Sequence, residues 1–209
     1  MENIKHNEAL KLHSLSNVPA QHTVLFSEIK KYLTEFLVSE HPFRSGNVCP
    51  YMGDAIKRDK VWLSEAKSQQ DTEKLINDSM QVLKDASYPN SVSVIVLDKN
   101  INVKSLRENF DTLIGKILSS GYMFAIFGPK TKAHSEYSDD YFPFDTPNTV
   151  VVIRPMTIQD FDLINTNALG ERSRINFLSG YLHRFSSSKN LATHTRVEKA
   201  KLLLNGNSF

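Results

Sequence analysis

Thr149-Val150-Val151-Val152-Ile153-Arg154 decides the fold class. The run is almost unbroken apolar and β-branched, as in a central strand covered on both faces. Tyr122-Met123-Phe124-Ala125-Ile126-Phe127 has the same character and is read as a second central strand. Upstream, Val61-Trp62-Leu63-Ser64-Glu65-Ala66 and Ser91-Val92-Ser93-Val94-Ile95-Val96-Leu97 read as two further strands. Helical patterns separate them. Between about 20 and 38, Leu25, Ile29, Tyr32, Leu33, Phe36 and Leu37 share one helix face, stopped by Pro42 and Gly46. Leu75, Ile76, Met80 and Leu83 mark another helix, ended by Tyr88-Pro89-Asn90. Ser105 and Glu108 form a capping-box pattern ahead of Leu106, Phe110, Leu113, Ile114, Ile117 and Leu118, and Gly121 closes that helix. Thr157 and Asp160 suggest a further cap, followed by helical patterns at 158–165, 171–185 and 194–204.

These patterns predict an α/β fold: a single layered domain over 19–209, with a mixed sheet of about four strands flanked by helices, the last of them C-terminal. Residues 1–18 are polar and read as a flexible arm. The Gly128–Asn148 segment is long, polar and aromatic, a length that in a compact domain marks a functional or disordered loop.

Composition narrows the function classes. The chain has 209 residues, 25 basic and 23 acidic, for a net charge of +2. That balance offers no electrostatic basis for binding nucleic acid or an anionic membrane. One cysteine excludes an internal disulfide framework and points to a reducing, cytoplasmic setting. Met1 to Asn7 holds no apolar run of the kind a secretory signal needs, and no stretch has the length and apolarity of a membrane span. P-loop, Gly-x-Gly-x-x-Gly and Gly-x-Ser-x-Gly patterns are all missing, so nucleotide-dependent and serine-hydrolase chemistry lack support.

The one cysteine lies in His41-Pro42-Phe43-Arg44-Ser45-Gly46-Asn47-Val48-Cys49-Pro50-Tyr51. A thiolate can be a nucleophile, a metal ligand or a haem ligand, and each role asks for a rigid, electropositive surround. Gly46 and Pro50 suit a tight turn, Arg44 adds positive charge, and a helix beginning at Tyr51 would place the thiol near its N-terminus. The bland alternative is a small buried hydrophobe. A zinc site is disfavoured: there is no second cysteine, and the seven histidines show no ligand spacing. A cysteine hydrolase needs a base, for which His41, His134 and His183 are available without a local signature. Haem-thiolate ligation asks for less: one thiolate, an apolar wall and basic groups for the propionates. Arg44, Arg154, Arg172, Arg174 and Arg184 could serve there, and twelve Phe and seven Tyr could wall a porphyrin. Arg154 directly ends an apolar strand, where a charge usually has a partner. The acids and aromatics of His134 to Phe144 read as a polar loop closing over the sheet edge, with no EF-hand spacing.

The run His41-Pro42-x-Arg44-x-Gly46-x-Val48-Cys49-Pro50-Tyr51, then Ala55 and Val61-Trp62-Leu63, resembles a family of bacterial proteins of unknown function. Val152-Ile153-Arg154-Pro155-Met156, with Asp160 and Phe161, is similar to that family's second landmark. The Cys-Pro-Tyr turn is also distantly similar to the Pro-Cys-x-Phe-Ala turn of the YqcI/YcgG family, which includes a haem-dependent N-hydroxylase. That resemblance implies Cys49 as the iron ligand. In one respect the chain departs from the first family: Phe144-Asp145-Thr146-Pro147-Asn148 lacks the arginine often found before the second landmark.

The leading expectation is therefore a cytoplasmic haem-thiolate oxygenase of secondary metabolism, oxidising the nitrogen of a small, amino-acid-like substrate. Cys49 would be the axial ligand and the catalytic centre. Gly46, Pro50 and Tyr51 would shape the cofactor-binding turn, His41 and Arg44 would contact a propionate or the groups around it, and Arg154 would anchor a propionate or the substrate. An electron-transfer partner is implied, and apolar faces on the first and last helices leave a homodimer open. The alternatives are a non-catalytic haem carrier or sensor, a cofactor-free cysteine-nucleophile enzyme, and a scaffold domain with Cys49 simply buried.

Overall fold

The computed structural model describes residues 12–18, 23–133, 137–165 and 171–206. It is a mixed α/β structure with a five-stranded sheet in the order β1-β2-β3-β5-β4. The strands are β1 (His13–Ser14), β2 (Val61–Ala66), β3 (Val92–Leu97), β4 (Tyr122–Phe127) and β5 (Val150–Pro155). The four expected strands are present, and β1 is a fifth. It pairs antiparallel with β2, His13 opposite Leu63, whereas β2 and β3 run parallel from Val61↔Val92 to Ala66↔Leu97. Within the stretch read as a flexible arm, His13 and Ser14 pair with the sheet and Leu15 is buried. The rest of that arm, residues 1–11, lies outside the described residues. One correction concerns β4. It was expected to be covered on both faces, but it takes the edge of the sheet, and Ile126 is its one buried residue. The unbroken apolar run suits β5, which lies inside the sheet with Val150, Val151 and Ile153 buried.

The chain clusters into two compact units, whose boundaries fall within β4 and β5. The first comprises residues 1–102 and 126–152. Its core gathers Phe26, Ile29 and Leu33 with Met52, Ala55, Val61, Leu63, Val94 and Val96. Phe26, Ile29 and Leu33 are supplied by α1 (Thr23–Lys31) and a π-helical turn, Tyr32–Phe36, that continues it. Such a turn widens the helix by one residue and is often found at functional sites. Here it ends the helix before Pro42, the stop expected from sequence. α2 (Met52–Lys57) is short, and α3 (Gln69–Ala86) is capped by Ser68, whose hydroxyl accepts from the Asp71 N–H. α3 packs on β2 and β3 through Leu75, Ile76 and Leu83. Its buried Ser79 hydroxyl meets that of Ser93 at 2.8 Å, which satisfies the polar atoms both residues bring into the interior.

The second unit comprises residues 103–125 and 153–209. The single helix expected after Ser105 is instead two, α4 (Val103–Asn109) and α5 (Asp111–Ser119), interrupted at Phe110. The helix begins ahead of Ser105, so the capping box does not form, and Ser105 instead accepts from the Asn109 side chain. Gly121 ends α5 at a φ of 80°, as expected. Ile158–Asn165 is a 3-10 segment, followed by α6 (Glu171–Phe185) and α7 (Leu191–Leu204). Leu118, Met156, Phe161, Phe177, Tyr181, Val197 and Ala200 form the core of this unit. No described helix is long and apolar enough to cross a membrane.

Candidate functional site

The segment from Leu37 to Cys49 folds back on itself in the first unit. Glu40 and Asn47 form an antiparallel bridge, the His41 N–H donates to Gly46 O at 2.9 Å, and the Val48 N–H donates to Ser39 O at 2.9 Å. Gly46 turns the chain at a φ of 89°, in the region that favours glycine. The Cys49 N–H donates to Leu37 O at 2.8 Å, so the thiol enters on a backbone tied to the end of the π-helical turn. Cys49 is free and half-buried, and it packs on the core of this unit. Pro50 is exposed and Tyr51 half-buried; α2 starts at Met52, one residue later than the sequence suggests.

Arg44 braces this loop from inside. Its Nη2 donates to Asn47 O at 2.7 Å and to Val48 O at 3.1 Å, while Nη1 donates to Ser45 O at 2.9 Å. One guanidinium thus gathers three carbonyl oxygens, the fork geometry that lysine lacks. The expectation that Arg44 faces a propionate is modified accordingly: its charge stays beside the loop, but much of its donor capacity is already engaged.

His41 is buried at 7 % exposure and stands among aromatic rings. It meets Tyr141, Tyr137 and Phe43 edge-on, with centroids 5.0, 5.4 and 6.3 Å apart. Its Nδ1 accepts from the Phe43 N–H at 3.1 Å. Burial first, and the Arg44 charge second, hold the imidazole below its ordinary pKa. Tyr141 also contacts Phe43 at 5.8 Å and Phe36 at 6.4 Å, and Phe36 stacks on Tyr32 at 5.3 Å. Arg44 lies over the Tyr137 ring, 5.6 Å from its centroid. Phe43 and Tyr137 form an exposed rim, at 54 and 55 %.

Tyr32 joins the thiol to this cluster. Burial, then the neighbouring Cys49, Tyr141 and Asp145, hold its phenol well above the usual range, so it is neutral and a donor. It donates to Pro143 O at 2.6 Å. The long segment from Gly128 to Asn148, whose length marked a functional or disordered loop, thus supplies Tyr137, Tyr141 and Pro143 to the Cys49 neighbourhood. Sequence reasoning missed Tyr32, Phe36, Tyr137 and Tyr141 as site residues; the aromatic richness of that long loop was the available signal. His134, a candidate base, lies outside the described residues.

Arg154 belongs to the second unit. Its Nη1 and Nη2 donate to the two carboxylate oxygens of Asp160 at 2.7 and 2.6 Å, and Nη1 also donates to Pro155 O. Asp160 also accepts from the Thr157 N–H at 2.6 Å, capping the 3-10 segment. The partner expected for a charge at the end of an apolar strand is therefore Asp160. Arg184 is likewise held, with Nε donating to Met156 O at 2.8 Å. Arg172 is exposed and lies 3.6 Å from Asp111. Arg174 and His183 lie on α6.

Among the described residues, no group of three or more His, Cys, Asp or Glu side chains could hold a metal ion. What the cluster offers is one thiol, one neutral imidazole, one guanidinium and a set of rings.

Comparison with known proteins places the chain without naming an activity. It is 36 % identical over 108 residues to the threonine–tRNA ligases of two strains of Ureaplasma parvum serovar 3. The match covers 49 % of this chain and 18 % of each ligase, so the chain spans less than a fifth of the length of these curated relatives. No solved structure matches. The model of the family described as "domain of unknown function (DUF6875)" matches residues 26–198, most of the sequence, and the chain belongs to that family.

Proposed function

We propose that Cys49 is the axial thiolate of a haem, and that the chain is a cytoplasmic haem-thiolate oxygenase acting on a small, amino-acid-like substrate. The observation that carries this reading is the half-buried free thiol, held on a closed loop next to Tyr32 and the ring cluster around Tyr141. A haem asks the protein for one axial donor and a flat apolar wall, and this donor set matches that demand better than the several ligands a bare metal ion requires. The distant resemblance of the Cys-Pro-Tyr turn to the YqcI/YcgG family supports the same assignment.

Held by the Cys49 thiolate, a haem would supply oxygen activation, since thiolate ligation favours O–O cleavage. The chain's own residues do the rest. Arg44 and Gly46 fix the course of the loop that carries the thiol, Tyr32 and Phe36 wall the space beside it, and His41 stays neutral within the rings. Arg154 is engaged by Asp160, so the propionate or substrate role expected for it is not part of this reading. An oxygenase needs electrons, so an electron-transfer partner belongs to the proposal.

A cysteine–histidine hydrolase is the weaker reading. A neutral His41 that accepts at Nδ1 carries its proton on Nε2, so that nitrogen is a donor and not a base for the thiol. The partial likeness to tRNA ligases does not enter, because so little of those enzymes is spanned.

Oxygen uptake separates oxygenase from carrier. The hemin-loaded chain is given a reducing system and a panel of free amino acids. The proposal expects uptake that depends on an amino acid and is abolished by Cys49→Ala. Uptake indifferent to every substrate would identify a carrier or sensor.

A further inference from the structure

Four tyrosine hydroxyls in this chain can be followed to their surroundings. Tyr32 donates to Pro143 O, Tyr181 donates to Ile158 O, and Tyr88 donates to the Asp54 carboxylate. Tyr141 differs. Its phenolic oxygen is sealed from solvent and has no hydrogen-bond partner. Leaving a buried hydroxyl unpaired is costly, and native structures that do so usually have a reason at the site. The ring packs against His41, Phe43 and Phe36, contacts it would lose by turning away. Burial raises the phenol's pKa against the opposing pull of Arg44, so the proton is present to donate at neutral pH.

We infer that Tyr141 and Arg44 form a carboxylate-recognising end of the Cys49 site, with Tyr141 giving the hydrogen bond and Arg44 the positive charge. This rests on the reading of Cys49 as the centre of a ligand site and names what else that ligand carries. Arg44 is close enough to Tyr141 and His41 to bias the titration of both, and it covers the Tyr137 ring. His41 is held toward its neutral form, so Arg44 is the cation of this cluster. One phenol donor and one guanidinium already occupied by three carbonyls suit a singly charged carboxylate. A phosphate, with more oxygens to satisfy, would ask for more donors. Such a carboxylate could come from a haem propionate or from an amino-acid-like substrate, and the experiment separates the two.

The test compares the full chain with Tyr141→Phe, which keeps the ring contacts and removes only the hydroxyl. Four probes are titrated: hemin, hemin dimethyl ester, hydrocinnamate and its neutral amide. The acid of at least one pair binds more tightly than its neutral counterpart, and Tyr141→Phe weakens that acid by about tenfold while leaving the neutral probe unchanged. Loss confined to hemin assigns the carboxylate to a propionate; loss for hydrocinnamate in the haem-free chain assigns it to the substrate. Thermal melting without ligand supplies a readout that a purely structural tyrosine would move the other way. Removing an unpaired buried hydroxyl leaves the melting temperature unchanged or higher, whereas removing a bonded one lowers it. The proposal is overturned if neither acid is preferred, if Tyr141→Phe weakens acid and neutral probes equally, or if it lowers the melting temperature with acid binding unchanged. Absence of haem binding would defeat the haem reading alone, since the hydrocinnamate pair reads the carboxylate site without haem.

Discussion

Tyr32 and Pro143 are separated by 111 positions in the chain and joined by one 2.6 Å hydrogen bond from the phenol to the proline carbonyl. That bond fastens the loop carrying Tyr137 and Tyr141 to the π-helical turn that precedes the Cys49 loop. Tyr32→Phe keeps the stacking on Phe36 and removes the tether. The expected cost is about 1 kcal/mol in denaturant unfolding. Backbone amides of 137–145 should also exchange faster with deuterium than in the parent chain.

Arg44 holds three carbonyls with one planar group, and lysine cannot replace that fork. Arg44→Lys retains the charge but should destabilise the chain by about 2 kcal/mol. The loosened loop should also make Cys49 react faster with iodoacetamide, read by mass spectrometry. Equal alkylation rates in the two proteins would show that the loop holds its shape without the guanidinium.

Asp54 on α2 accepts from Tyr88, from Asn90 at 2.8 Å and from Arg58 at 3.1 Å, tying that helix to the turn before β3. The Tyr88 bond first, then those from Asn90 and Arg58, bring its carboxyl down from 3.8 to about 2. A depressed carboxyl stabilises the fold above its unfolded pKa, and that stability is lost as protons bind. The loss should therefore run from about pH 4 down through about pH 2. Asp54→Asn should lower the melting temperature at neutral pH, and the difference from the parent should close across that acid window.

Gly180 on α6 is fixed by a close approach. A Cβ there would stand 1.8 Å from Leu118 O and 2.8 Å from Gly121 N, both backbone atoms that cannot rotate away. Gly180→Ala should force α5 and α6 apart and cost about 3 kcal/mol, measured as a lowered urea midpoint.

Some of this was legible in sequence, for identifiable reasons. α3 and β3 follow their hydrophobic periods closely, because each packs one continuous face or run against its unit's core. The α4–α5 break at Phe110 and the π-helical turn at Tyr32–Phe36 do not, because residues on either side of each still keep apolar spacing. β4 misled because its apolar run matches that of β5, while strand order alone decides which of them lies at the edge. At the candidate site, Cys49, His41 and Gly46 could be picked out from one short segment. Tyr137 and Tyr141 reach them across about a hundred residues, a proximity that only the fold creates. Arg44 was visible as a charge, but its three carbonyl partners lie on its own loop and were not.

A thiolate-ligated haem at Cys49 can be read from the absorption spectrum of the hemin-loaded chain after dithionite and carbon monoxide. The ferrous–CO Soret band should be red-shifted and the shift lost in Cys49→Ala, because it depends on electron donation from a thiolate ligand. A chain that binds no hemin, or a Soret band identical in Cys49→Ala, would contradict that ligation.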